Sequence, residues 1–518
     1  MTISEVLEIE STFEVGPDTP IPTADAFSPL VADPAVDHHL SATYYDTADL
    51  SLTRHRVTLR RRTGGDDAGW HLKLPTRAGR VELHAPLSDD LPDSLLEAVA
   101  GLVRRRPLAP IARIDNRRRV QLLRDADGTA VIEFCDDRVS TESYLDGGST
   151  SRWREWEAEL VDPSLRGAHA RLADVATACT EAGATTSSSS SKLARAVGPI
   201  PDPVDTSDSA IRGALLRDLR QLLDHDPGAR RCMMTGVHQM RVAVRGLRST
   251  IRTYLPELEA GTADTDLDPK QLLADLKLLA GVLGAVRDIQ VVDERLGRLM
   301  AEYPDEVISP RTRQRVDTEL RSDLQRAGRR LTATLGSDRY LDLLDGLDQL
   351  VRTDIPPTVK KKRKHDRSPG TAPGAALRGV DRQFSRFHRI HTRTERDLIS
   401  LDLTLAQREE LTHVVRKRAK ALRRNVAAVQ ETDGLIIAPL RDACDRLHTV
   451  LGDVQDSVTA RQWIRRIERR AASAGEPTFG YGVLFERERA FSEATLTGYE
   501  SDAAAVIAAY RELAETRA

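Results

Sequence analysis

Cysteine is scarce. Four residues, Cys135, Cys179, Cys232 and Cys444, are scattered through 518 positions with no CxxC spacing and no His-rich companion. That pattern excludes a disulfide framework and a cysteine zinc site, and suits ordinary buried thiols of a reducing cytoplasm. Aromatic residues make up only 4%, too few for the stacking platforms with which proteins grip nucleic-acid bases. No run of about 18 apolar residues occurs, and the opening "MTISEVLEIE" is acidic without an apolar core. A cytoplasmic protein with no membrane attachment is expected. Neither sign of charge dominates: 76 Lys and Arg face 79 Asp and Glu, for a net charge of −3. The total is silent, so any function must show in local segregation of charge. What the chain does have is length for two to four domains and 40% hydrophobic content to bury their cores.

Up to about residue 165, short alternating segments such as "RVTLRRR", "WHLKL", "RVELHAPL", "AVIEFCDD" and "REWEAELVD" are separated by turn residues, an antiparallel β pattern. Residues 166–184 then have a helical pattern, and "TTSSSSS" reads as a flexible tether before "KLARAV". The prolines of "GPIPDPVDTSDS" interrupt everything, and beyond them the pattern is helical almost to the C-terminus. The expected fold is therefore α+β and multidomain: residues 1–198, a proline-rich linker at 199–206, and an all-α part at 207–518. The helical part is duplicated. "VHQMRVAVRGLRSTI" and "THVVRKRAKALRRNV" share one spacing of His and basic residues, and "LGAVRD" reappears as "LGDVQD". The repeats span about 207–353 and 375–518, joined by a basic linker at about 354–374 whose "KKKRK" would suggest a localisation signal in a nuclear setting.

In the β half, acidic and basic strands are segregated. Arg60 and Arg62 alternate with Val57 and Leu59, and Lys73 with Leu72 and Leu74. Arg80, Glu82 and His84 alternate with Val81 and Leu83. Glu8 and Glu10 share one parity of "EVLEIESTFEV"; Glu133 and Asp137, and then Glu155, Glu157 and Glu159, do the same on later strands. In "RIDNRRRV" three arginines run together, and parity leaves open whether Arg117 or Arg118 points inward. If the sheet closes, its polar face becomes a lumen with a carboxylate side and a cationic side. Clustered carboxylates suit Mg²⁺ or Mn²⁺, and the opposing cations suit a phosphate chain.

These residues resemble the CYTH domain of the triphosphate tunnel metalloenzymes. "EIEST" supplies two glutamates of the family's ExExK and puts Thr12 at the lysine position. "YYDTADLSLTRHRVTLRRR", "WHLKLP", "RVEL", "WREWEAEL" and "SKLARA" follow in the family's order. The resemblance implies an eight-stranded antiparallel tunnel in which Glu8, Glu10, Glu157 and Glu159 hold metal. Arg60, Arg62, Lys73, Arg117 or Arg118, and Lys192 would bind phosphate.

On a helix, His238, Arg241, Arg245 and Arg248 fall within an arc of about 80°, opposite Met240, Val244, Leu247 and Ile251. His413, Arg416, Lys420 and Arg423 repeat the arrangement. Neither stripe carries interleaved acids on its own helix. "HxxRxxxRxLR", present twice, resembles the CHAD domain, an α-helical polyphosphate-binding module. Gly284 and Gly452 are expected to allow close helix approach, and Asp288 and Asp456 to orient the stripe arginines. The resemblances imply hydrolysis of inorganic triphosphate or short polyphosphate by the tunnel, with polyphosphate bound by the helices. The alternatives are an organic triphosphate such as thiamine triphosphate or ATP as substrate, or a non-catalytic scaffold of polyphosphate granules. Scarce aromatics argue against nucleic acid as the partner.

Overall fold

The computed structural model describes residues 4–76, 79–189, 191–200, 204, 209–354, 373–399, 402–429 and 437–516. Two compact units divide the chain. One comprises Met1–Gly284 and Gly328–Thr358, the other Ala285–Ala327 and Val359–Ala518.

The first unit begins with eleven strands among the described residues: β1 (Ser4–Glu8), β2 (Glu10–Val15), β3 (Val31–Ala32), β4 (Val36–Asp46), β5 (Thr58–Thr63), β6 (Gly69–Pro75), β7 (Arg80–Pro86), β8 (Ala109–Arg124), β9 (Ala130–Ser143), β10 (Thr150–Leu160) and β11 (Thr185–Thr186). Their order is β1-β7-β6-β5-β4-β8-β9-β10-β2-β11, with β3 on β8. Ile9 alone separates β1 from β2. Glu8 of β1 lies opposite Arg80 of β7, and Glu10 of β2 lies opposite Glu159 of β10. One bent strand thus joins both ends of the order and closes the sheet into a tunnel. Counted as one strand with β4 to β10, it gives the expected eight-stranded wall. A Cβ on Gly79 would lie 2.2 Å from the carbonyl oxygen of Glu8, so only glycine fits where β7 meets the bend.

Alternation decides what each face does. Phe13, Phe134, Trp156 and Ala158 point away from the lumen and pack under α4 (Ala168–Glu181) through Leu172, Val175 and Cys179. At the apolar end of the lumen, α5 (Lys192–Val197) sets Leu193 and Ala196 against Ala42, Tyr44, Ile114 and Val139. Two short helices, α1 (Ser51–Arg54) and α2 (Asp93–Ala98), and then α3 (Ala100–Val103) complete the β half.

The helical half contains α6 (Ala210–Arg230), α7 (Met234–Thr253), α8 (Leu255–Gly261), α9 (Pro269–Ala301), α10 (Pro310–Leu335) and α11 (Asp338–Arg352). Then follow α12 (Pro373–Leu398), α13 (Leu405–Val429), α14 (Ala438–Ser473), α15 (Phe479–Thr497) and α16 (Tyr499–Glu515). Within the first unit the tunnel packs directly on helices. Arg104 lies 2.7 Å from Asp345 and 2.6 Å from Asp348 of α11, and Arg105 lies 2.9 Å from Asp338. Buried Asp226 of α6 accepts from Arg230 and Tyr340, both at 2.6 Å, and its carboxylate fills the space a Cβ on Gly101 would need. The units divide inside α9, inside α10 and between Thr358 and Val359; most of the proline-rich segment lies outside the described residues. "KKKRK" also lies outside them. In the second unit, one core joins α12, α13, α14 and α16 around Phe387, Leu422 and Leu447, and another joins parts of α9, α10, α14 and α15 around Leu296, Leu320 and Ile464.

Candidate functional site: a charged tunnel and two basic helix faces

The inward parity of the strands, with Asp67 of the β5–β6 turn and Lys192 of α5, brings eight carboxylates and six Arg or Lys side chains around a cavity of about 380 Å³. On the cationic side, Lys73 donates to both oxygens of Glu8 at 2.8 and 2.7 Å and lies 4.0 Å from Glu82. Arg60 lies 3.6 Å from Glu82 and donates to the Tyr44 hydroxyl at 3.4 Å, while Arg62 pairs with Asp67. Burial and the neighbouring Arg60 push Arg62 down to about 9. Burial works against the Lys73 ammonium, yet Glu82 and Glu8 outweigh it and raise its pKa. Buried His71 bridges Glu82 at 2.8 Å and the carbonyl of Asp67 at 3.0 Å, which fixes Glu82 toward Arg60 and Lys73.

On the acidic side the register stacks carboxylates in rows across β9, β10 and β2. Glu133, Glu159 and Glu10 lie directly opposite one another; the next row is Cys135, Glu157 and Thr12; the third is Asp137, Glu155 and Glu14. Neighbours in such a row stand about 5 Å apart, so like charges destabilise the sheet unless a cation intervenes. Protein cations serve part of the site. Lys192 Nζ lies 2.6 Å from Glu155, 3.0 Å from Asp137 and 2.5 Å from Glu157. Arg118 holds Asp137 through contacts of 2.9 and 2.6 Å and also pairs with Glu157. Burial would raise Asp137 and Glu157, but Arg118 and Lys192 outweigh it and hold both low. The Glu10, Glu133 and Glu159 row makes no ion pair among the described residues. Burial, only partly offset by Lys73 and reinforced by Glu10, Glu157 and Glu133, pushes Glu159 up to about 7. Glu8, buried beside Glu82 despite Lys73, is pushed up to about 8.

On α7, His238 and Arg245 are exposed and Arg241 and Arg248 half-buried, while Met240, Val244, Leu247 and Ile251 are fully buried. On α13, His413, Arg416, Lys420 and Arg423 are half-buried, opposite buried Val415, Ala419, Leu422 and Val426. Acids absent from α13's own stripe come from α14: Asp445 pairs with Arg423, and Asp456 faces Arg416. His448 of α14 is pushed down to about 4 by burial and by Arg423, Arg416 and Lys420.

Comparison with known proteins finds a CYTH domain at residues 30–147 and a CHAD domain at residues 213–465. Two curated Mycobacterium tuberculosis proteins, Uncharacterized protein MT2285 of strain CDC 1551 and Uncharacterized protein Rv2226 of strain H37Rv, are each 33% identical over 506 residues. The match covers 94% of this chain and 94% of each relative. The chain belongs to the CYTH–CHAD family. Among solved structures, PptA from Streptomyces chartreusis is 16% identical over 56% of this chain and 97% of its own, with a TM-score of 0.38. The putative adenylyl cyclase HpAC1 from Hippeastrum is 18% identical over 39% of this chain and 98% of its own, with a TM-score of 0.22.

Around the tunnel, Glu8, Glu10, Arg60, Arg62, Lys73, Arg118, Glu157, Glu159 and Lys192 all line the lumen. Arg117 does not. Asn116 and Arg118 take the inward parity of β8, so Arg117 is exposed on the outer wall. The serine tract is no tether: Thr185 and Thr186 extend the sheet, Ser187 donates to the carbonyl of Thr12 at 2.9 Å, and Ser187, Ser189 and Ser191 line the cavity. Unpaired backbone at the edge of β2 explains why that sequence is ordered, since the edge offers partners regardless of side chain. In the CHAD domain, a Cβ on Gly284 would meet nothing within 4 Å, so close helix approach is not its role; one on Gly452 would meet only the tip of Arg416 at 4.0 Å. Sequence reasoning missed Glu155 and His71 as site residues, left Glu133 and Asp137 undecided, and missed His448. The parity of Glu133, Asp137 and Glu155 was visible, but the register that aligns them was not.

CYTH tunnel enzymes are metal-dependent, and the donor set here fits a hard cation. Carboxylate oxygens of Asp137, Glu155 and Glu157 lie within 4.8 Å of one another, and the Glu10 row is all oxygen donors with no internal counter-charge. No described helix is long and apolar enough to cross a membrane.

Proposed function

We propose that the CYTH tunnel hydrolyses inorganic triphosphate and short polyphosphate with Mg²⁺ or Mn²⁺, and that the CHAD helices bind polyphosphate, which would bring the protein to polyphosphate granules in the cytoplasm. The carrying observation is the lumen itself: carboxylates and cations face one another across about 380 Å³, and Tyr44 is the single aromatic among its lining residues. Such a space supports a bare phosphate chain better than one carrying a base or a thiazolium ring.

Glu10, Glu133 and Glu159 would hold the divalent ion, with Glu8 nearby. When bound, the ion neutralises phosphoryl charge and makes a coordinated water more acidic. Arg60, Arg62, Lys73 and Arg118 bind the phosphoryl oxygens and stabilise the charge that builds in transfer to water. Glu82, locked by His71, holds Arg60 and Lys73 in place between turnovers. Bidentate Arg118 on Asp137 fixes the guanidinium plane toward the cavity.

The test is phosphate release from tripolyphosphate by the full-length protein with Mg²⁺ or Mn²⁺. Chelation should abolish it, and Glu10→Ala or Glu159→Ala should lower turnover by about 10²–10³-fold. Wild-type rates in both variants, or indifference to chelation, would sink the tunnel assignment. Faster release from ATP or thiamine triphosphate than from tripolyphosphate would move the substrate to an organic triphosphate. Tight polyphosphate binding without any hydrolysis would leave a scaffold.

A further inference from the structure

The tunnel contains two acidic groups treated differently by the chain. The row of Glu10, Glu133 and Glu159 has no internal cation. Asp137, Glu155 and Glu157 are as tightly grouped as metal ligands, yet the Lys192 ammonium sits among all three. We propose that Lys192 is the resident counter-ion of a second cation position, which a divalent metal enters only when that ammonium leaves. This rests on the metal-dependent reading of the tunnel.

Three observations carry it. The first is charge. Three carboxylates face Arg118 and Lys192, so a divalent ion added to the intact group would lie within about 3–4 Å of a buried ammonium, where repulsion is weakly screened. Without Lys192, the remaining two negative charges match one divalent ion. The second is the division of labour between the cations. Arg118 engages Asp137 and Glu157, while among the described residues Lys192 is the only cation paired with Glu155, whose other oxygen accepts from the Trp153 indole at 2.5 Å. Removing Lys192 therefore leaves a carboxylate that is 3% exposed with a neutral indole donor and no counter-charge, so it must recruit a cation or a proton. The third is the anchor. Ser191 caps α5 through Ala194 at 3.1 Å, and Leu193 and Ala196 are buried in the apolar end of the lumen. The backbone is held, so the exchange is a swing of four methylenes and not the opening of a lid. Lys192 lines the same cavity as Arg60, Arg62 and Lys73, so a phosphate chain lying there offers the ammonium an alternative partner.

The experiment counts Mn²⁺ bound per full-length chain, by electron paramagnetic resonance of free Mn²⁺ and by calorimetry, with no phosphate present. Lys192→Met should bind one Mn²⁺ more than the parent, with an affinity at least tenfold above any further equivalent the parent takes up. Lys192→Arg should match the parent. Adding Glu155→Gln to Lys192→Met should remove the extra ion. Lys192→Gln, whose amide still donates to Glu155, provides the neutral side chain if Met impairs folding, judged by circular dichroism and thermal unfolding. Equal stoichiometry in parent and neutral variants overturns the proposal. A parent that binds no Mn²⁺ and releases no phosphate would instead sink the functional reading, while the difference between variant and parent would still report on Lys192.

Discussion

The tunnel wall and the helical stripes both gather arginine and lysine, but they hold the charges in different ways. In the tunnel, Lys73, Arg118 and Lys192 are each within 3 Å of named carboxylates and largely shielded from water. On α7 and α13 the apolar face is buried, while the basic face carries exposed His238 and Arg245 or half-buried Arg416 and Lys420. A buried charge cannot stand alone, so its position is specified and its loss is local. An exposed charge is screened and interchangeable, so a stripe acts by number. Paired charges specify single positions; a stripe offers a run of charge.

The sharpest break of this comparison is on the stripes. Replacing Arg416, Lys420 and Arg423 together by Gln should weaken metal-free binding of long-chain polyphosphate about 10²-fold and flatten its salt dependence by about two to three charges. Any single replacement should cost less than about fivefold. Arg241, Arg245 and Arg248 replaced together should behave likewise, with helical content unchanged because the apolar faces are untouched. Fluorescence titration at several salt concentrations reads this. One residue accounting for the whole loss would make the stripe a pocket, and equal affinity for DNA of the same charge would make it a general anion surface.

A smaller effect separates the tunnel's two acidic groups. A carboxyl raised in the folded state binds its proton more tightly than in the unfolded chain, so its stabilisation is full below about pH 4.5 and declines as pH rises toward the folded value. For Glu159 that value is about 7, and Glu8 extends the decline to about 8. Metal-free protein should therefore lose about 1–3 kcal/mol between pH 5 and 8. Glu159→Gln should flatten the profile. Asp137→Asn should not, since Asp137 is held low and stays ionised across that range. Thermal unfolding in chelator across pH checks both.

The smallest effect belongs to Thr12→Lys. Sequence alone leads one to expect faster turnover from restoring the family lysine. Thr12, however, lies opposite Glu157, which already carries Lys192 and Arg118. The change in tripolyphosphate turnover should stay within about threefold, less than one good charge-assisted contact supplies. A gain of tenfold or more would show that Lys192 does not fill the place of the missing lysine.

Much of the site was legible because a strand announces its faces. Glu8, Arg60, Lys73, Glu157 and Glu159 follow from period-two alternation, as the stripes follow from helical spacing. What alternation cannot give is register. Nothing in "EWEAE" or "EFCDD" says that Glu133 meets Glu159 or that Asp137 meets Glu155, because those pairings are set by long-range ladders. Three adjacent arginines defeat parity outright, and Arg118 is chosen by the register of β8 against β4 and β9. The serine tract was misread because composition describes what side chains prefer, whereas order there comes from backbone bonding to β2. Asp445 and His448 were invisible as companions of the second stripe because they come from another helix.

The bent strand around Ile9 has a consequence for how the tunnel comes into being. Its two arms close the wall, yet their partners β7 and β10 begin at residues 80 and 150. During synthesis this segment leaves the ribosome well before either partner exists, with alternating carboxylates that keep it from pairing with copies of itself. An arm made before its partners can be fastened only after they are made, so the carboxylate and cationic walls are held face to face by a bend whose partners lie far along the chain.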